Sequence, residues 1–103
     1  MTEYAKAKCE GAIEALEWLI HYHKDRTRQE RRRLGDYKRA KLVADAMHAT
    51  GFGEHETDVH LVEYMIPHIE NQISQDKRVV WSAGYDLREQ LRKLDDITER
   101  LNA

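Results

Sequence analysis

The stretch HKDRTRQERRRLGD, residues 23–36, decides the fold, because its conformation determines whether the chain is built from short helices or long ones. From His23 to Arg33 it holds no apolar residue, so it has no face to bury and reads as solvated or held by a partner. Thr27 and Glu30 have the capping-box spacing, in which hydroxyl and carboxylate each satisfy an orphan backbone donor. That spacing predicts a helix restarting at Thr27. Gly35 then suits a stop and Asp36 a fresh N-cap. The competing picture is one helix running from Thr2 past Tyr22 to Leu34, and the choice determines how the arginines are displayed.

On the N-terminal side, Ala5, Cys9, Ala12, Ile13, Leu16, Leu19 and Ile20 recur at three and four residues. They predict an amphipathic first helix from Thr2 to about Tyr22. Trp18 and Tyr22 lie off the centre of that stripe and widen it. On the C-terminal side, Tyr37, Ala40, Val43, Ala44 and Met47 form a second stripe, closed by Thr50-Gly51-Phe52 in the pattern of a Schellman cap, with Phe52 expected back on Met47. A loop follows over residues 53–57. Val59, Val62, Ile66, Ile69 and Ile73 mark a third helix, where Pro67 predicts a kink or a break because its ring lacks an N–H and clashes one turn back. Ser74 to Lys77 reads as a last polar joint. Val80, Gly84, Leu87, Leu91, Leu94, Thr98 and Leu101 then keep a heptad register, with Ile97 flanking. Only Val79-Val80-Trp81 is β-branched and aromatic enough for a strand to compete. The predicted architecture is all-α, a compact bundle of about four helices in one domain, residues 1–103, with a kinked third helix and a basic segment between helices 1 and 2.

Composition supports the class. The 103 residues are 41% hydrophobic and 35% charged, with one Pro and five Gly and a mean hydropathy of −0.82. The chain is too charged for a membrane protein and too apolar for a disordered one. Area scaling allows roughly two thirds of the unfolded surface to be buried at this size. No apolar run approaches the length of a membrane span, and Glu3, Glu10, Glu14 and Glu17 are incompatible with a secretory leader, so the chain is expected in the cytoplasm. A lone Cys9 makes no intramolecular disulfide and anchors no Cys-rich zinc site. Ser74, Ser82 and Cys9 are the classical nucleophiles, without a G-x-S-x-G or phosphate-loop context, so no catalytic residue is assigned and the chain reads as non-enzymatic.

Charge segregation is the strongest functional signal. Lys24 to Lys41 carries nine Lys and Arg against three carboxylates, a net of +6, while the rest of the chain carries −8. Six of the nine are arginines, whose forked guanidinium suits carboxylates and phosphates. The plainer reading is a charge run that is solvated or pairs with the chain's own acidic body. A sharper reading assigns Arg28, Arg31, Arg32, Arg33 and Arg39 to charge-assisted bonds with an acidic protein. The alternative is phosphate contact with nucleic acid. Against it stand the sequence pI of 6.3, the scarcity of stacking aromatics beside the arginines, and the failure of Leu42 to Tyr64 to fit a helix-turn-helix. Six histidines, with His60, Tyr64 and His68 at i, i+4 and i+8, raise a second alternative, a His and carboxylate metal site inside a bundle. The reversed His60-x-x-Glu63 and the missing His-Glu-x-x-His argue for no bound metal or cofactor. Cys9 lies on the apolar stripe and reads as a buried small hydrophobe. Trp18 and Trp81 read as core unless exposed, in which case they mark partner-binding hot spots. Together these observations point to a small helical adaptor, inhibitor or regulator that binds protein, with homodimerisation favoured by its small size.

Overall fold

A computed structural model describes the backbone of Thr2–Gly51 and Glu56–Ala103 and the side chains of residues 2–51 and 62–103. It contains two helices, α1 (Thr2–Ala49) and α2 (Glu56–Asn102), in place of the predicted four. The chain divides into two compact units. Unit 1 joins Met1–Asp25 to Lys77–Ala103, and unit 2 is Arg26–Asp76.

The decisive stretch is helical from end to end, which corrects the predicted basic segment between two helices. The reason lies in a pattern of burial rather than of apolarity. Ala5, Cys9, Ala12, Leu16, Leu19, His23, Thr27, Glu30, Leu34, Tyr37, Lys41 and Ala44 are all buried or half-buried, and they recur at three and four residues. One inward line therefore continues through the polar stretch, and only its residue types change. The extra residue taken between His23 and Thr27 lets the line drift, as expected where a heptad pattern stutters. Thr27 is buried in mid-helix rather than capping a start. Glu30 reaches Arg33 at 4.0 Å in the i, i+3 manner that supports a helix. Gly35 keeps ordinary helical backbone, whereas Gly51 has φ 78°. Thus Gly51, and not Gly35, is the stop.

At that stop the Thr50 N–H donates to Ala46 and Met47 carbonyls, both at 3.2 Å, and the Gly51 N–H to His48 at 3.1 Å. The Thr50 hydroxyl adds bonds to the Ala46 and Met47 carbonyls at 3.2 and 2.9 Å. Left-handed backbone there costs glycine little. The expected contact of Phe52 with Met47 lies outside the described residues, as does most of the 53–57 loop, although Glu56 and Thr57 already belong to α2.

The other two predicted interruptions are corrected in the same way. α2 runs through Pro67 and through Ser74–Lys77 without a break. Pro67 is exposed, so the backbone groups it leaves unbonded face water rather than the seam. Across the supposed joint, Ile69, Ile73, Asp76, Val80, Ala83, Leu87, Gln90, Leu94, Ile97 and Leu101 alternate in steps of four and three without a fault. This heptad holds the helix, and Asp76, Ala83 and Gln90 are the members that hydropathy conceals. Val79-Val80-Trp81 is helical, not extended.

Unit 1 is an antiparallel helix pair. Ala5, Cys9 and Ala12 share one cavity with Ile97, Lys93 and Gln90, and further along α1 Leu16 and Leu19 share another with Ala83 and Val79. Its buried apolar side chains are the small Cys9 and Ala83. Unit 2 buries larger ones, Ile73 and the fully enclosed Ile69.

Candidate interaction site

The arginine-rich segment is part of unit 2, and its geometry follows from being helical. Eight Lys and Arg between Arg26 and Lys41 stand against Glu30 and Asp36, a net of +6. The α2 half of the same unit, residues 56–76, carries Glu56, Asp58, Glu63, Glu70 and Asp76 and no Lys or Arg. Basic and acidic helix halves are therefore folded into one unit. Their described contact is at Arg26, whose Nη2 donates to Gln72 Oε1 at 2.7 Å and whose Nε lies 3.5 Å from Asp76 Oδ2. The Asp76 side chain is 4% exposed and that of Arg26 38%. A buried carboxylate beside a half-buried guanidinium fixes which residues face one another more than it adds stability, because desolvation offsets most of the attraction.

The five arginines expected to bind a partner fall into two groups. Arg33 reaches Glu30 and stands over the Tyr37 ring, 5.8 Å from its centroid. Arg39 pairs with Asp36 and lies against Gly35, where an added Cβ would meet Arg39 Nη1 at 3.6 Å. These contacts are local to the helix, and exposed pairs of this kind contribute at most about 1 kcal/mol. Arg28, Arg31 and Arg32 are exposed on α1. Arg31 and Arg32 are adjacent, so they fan over about 100° of the helix surface. Arg28 and Arg32, four residues apart, share one side of α1.

Trp18 and Trp81 are 65% and 74% exposed, so neither belongs to the core. Both lie in unit 1, each beside a tyrosine one turn on. Trp18 stacks on Tyr22 with ring centroids 5.3 Å apart and planes 13° apart. Trp81 and Tyr85 occupy the outer side of α2, away from the seam residues Val80, Ala83 and Leu87. Tyr4 is exposed as well and shares its side of α1 with Trp18 and Tyr22. Sequence reasoning missed Tyr4 and Tyr85. The signal was available, because the spacing of Tyr4, Gly11, Trp18 and Tyr22 repeats at seven and four residues and traces a second line beside the apolar stripe.

Cys9 is buried on that stripe. Of the histidines, His21, His48 and His68 are exposed and His23 is half-buried, while the His55 side chain and that of His60 lie outside the described residues. His68 stacks with Tyr64, centroids 6.3 Å apart. Among the described residues no group of three His, Cys, Asp or Glu side chains converges as metal ligands, and no helix is long and apolar enough to cross a membrane. No family model, curated protein or solved structure matches this chain.

Proposed function

We propose that this chain is a non-enzymatic, cytoplasmic helical regulator that works by protein–protein interaction, presenting the aromatic faces of unit 1 and the outward arginines Arg28, Arg31 and Arg32 of unit 2. The observation that carries this reading is the exposure of Trp18, Tyr22, Trp81 and Tyr85 in a unit whose buried apolar side chains, among the described residues, are Cys9 and Ala83. Large exposed aromatics grouped on helix faces mark contact surfaces, and Trp, Tyr and Arg are the residues that dominate binding energy when a partner desolvates them. The arginines favour carboxylates on that partner, as they already do within unit 2. Self-association through the same aromatic faces belongs to this reading, with a homodimer as the working form.

Labelled duplex and single-stranded nucleic acid, titrated from low to physiological salt, test it first. Protein recognition predicts no binding at physiological salt. Micromolar binding that weakens by several counterions and vanishes with Arg31→Ala and Arg32→Ala would favour phosphate recognition instead. With a protein partner in hand, Trp81→Ala is expected to weaken binding as much as loss of the arginines does, with helix content unchanged by circular dichroism.

A further inference from the structure

Resting on the reading of protein–protein recognition above, we infer what unit 2 binds and where: one acidic amphipathic helix of an unlike protein, laid along Arg28, Arg32, Gly35, Arg39, Leu42 and Ala46 of α1.

Position defines the face. These six residues follow one another at four, three, four, three and four, the spacing at which a second helix is met. Arg32 stands two residues from both Glu30 and Leu34 of the inward line, and Arg39 two residues from both Tyr37 and Lys41. Two residues turn a helix by about 200°, so this second line runs on the far side of α1 from the first. Its members are exposed except for the half-buried Gly35. Leu42 is 70% exposed, and Val43 beside it 59%.

Charge selects the occupant. Arg28, Arg31, Arg32, Lys38 and Arg39 lie on or beside the line against one carboxylate, Asp36, which Arg39 already holds. Arg31 and Arg32 make no ion pair or side-chain hydrogen bond among the described residues. A cationic row that ends in bare Leu42, Val43 and Ala46 is complemented by carboxylates and an apolar stripe on one ligand, and an acidic amphipathic helix carries both at the same spacing. A nucleic-acid duplex supplies phosphates but nothing to cover Leu42. The chain's own acidic half of α2, residues 56–76, is not available to a second copy in this role, because its Ile69 and Ile73 are enclosed already and its Asp76 is buried beside Arg26.

Gly35 fits the same face. Glycine weakens a helix interior, yet Gly35 has ordinary helical backbone, and a Cβ there would meet only the Arg39 guanidinium. Packing within unit 2 therefore does not call for glycine. Between Arg32 and Arg39, at the middle of a docking line, it lets a facing helix approach closely.

A synthetic helix of about 20 residues, with Leu at its seam positions and Glu flanking them, is the probe. Labelled and kept at nanomolar concentration, it is titrated with the full chain and followed by fluorescence anisotropy. Micromolar binding that weakens with salt is expected, and none by the same peptide with Lys in place of Glu. Arg32→Ala combined with Arg39→Ala is expected to weaken binding at least about tenfold, and Leu42→Gln and Gly35→Gln each about fivefold, with helix content unchanged by circular dichroism. Trp18→Ala and Trp81→Ala are expected to leave it unchanged. A peptide indifferent to Leu42→Gln and Gly35→Gln, or released by either tryptophan variant, overturns this face and leaves protein recognition standing. Absence of binding up to about 100 μM also overturns it. A wild-type dimer in sedimentation equilibrium that Arg32→Ala with Arg39→Ala dissociates makes the occupant a second copy and overturns the unlike partner. A labelled duplex that binds at physiological salt and displaces the peptide overturns protein recognition itself.

Discussion

Unit 1 and unit 2 are both drawn from the same two helices, yet they spend their residues differently. Unit 2 encloses Ile69 completely and Ile73 nearly so, and sets a +6 stretch of α1 beside an α2 half devoid of Lys and Arg. Unit 1 carries the better apolar stripe in sequence but, among the described residues, fully buries only Cys9 and Ala83 of its apolar side chains and leaves two tryptophans exposed. Along the unit 1 seam the small Cys9 and Ala83 are enclosed, Leu16, Leu19, Val80, Leu87, Leu94 and Ile97 are half-buried, and the tryptophans stand on the flanks. A pair with a polar layer and large branched residues at its seam uses them internally. The unit that looks functional from its charge is thus the one whose charges are partly spent on its own fold, and the unit that looks like plain core holds both exposed tryptophans, while unit 2 exposes Tyr64, Leu42 and Val43.

Three substitutions break or sharpen that contrast. The largest effect belongs to Ile69→Ala, which empties a fully enclosed site and is expected to destabilise the chain by about 2–5 kcal/mol in urea or thermal unfolding. The corresponding deletion in unit 1, Trp81→Ala, removes exposed surface and is expected to stay within about 0.5 kcal/mol. Equal losses at the two sites would erase the distinction between the units.

Next comes Asp76→Ala. It strips Arg26 of its buried partner and is expected to cost about 1–3 kcal/mol, the partial exposure of Arg26 keeping the loss from being larger. Replacing both by leucine, Arg26→Leu with Asp76→Leu, is expected to recover that stability or exceed it. If the double variant is no more stable than Asp76→Ala alone, the polar layer contributes more than alignment.

The smallest effect, and the sharpest on the fold, comes from glycine. Gly35→Ala is expected to stabilise the chain by about 0.5–1 kcal/mol, because alanine is the better residue in a helix interior and its Cβ meets only ordinary contact with Arg39. Gly51→Ala is expected to destabilise it by about 1 kcal/mol, since alanine is strained at φ 78°. A loss of stability at Gly35 would restore the helix break that the sequence suggests there.

How much was legible follows residue by residue. The all-helical class, the stripe from Ala5 to Ile20, the line from Val62 to Ile73, the buried Cys9 and the end at Gly51 were all readable, because each is a local matter of period or backbone preference. The breaks at Thr27, Pro67 and Ser74 were misread. Each was inferred from missing hydrophobicity or a local breaker, while the inward line continued through His23, Thr27, Glu30, Asp76 and Gln90. At the candidate site the arginines were found by counting charge, but that Arg33 and Arg39 are held by neighbours on their own helix required geometry.

By itself the sequence determined that this chain is helical, where α1 ends, and that its charge is divided, since helix propensity, glycine at a left-handed turn and simple charge counts depend on near neighbours alone. Tertiary structure decided that there are two helices rather than four, that Asp76 is inside and Trp18 and Trp81 outside. A polar residue becomes part of a seam only when the facing helix supplies its partner, as Gln72 and Asp76 do for Arg26, and Trp18 and Trp81 are left exposed because their positions on the helices fall outside the seam.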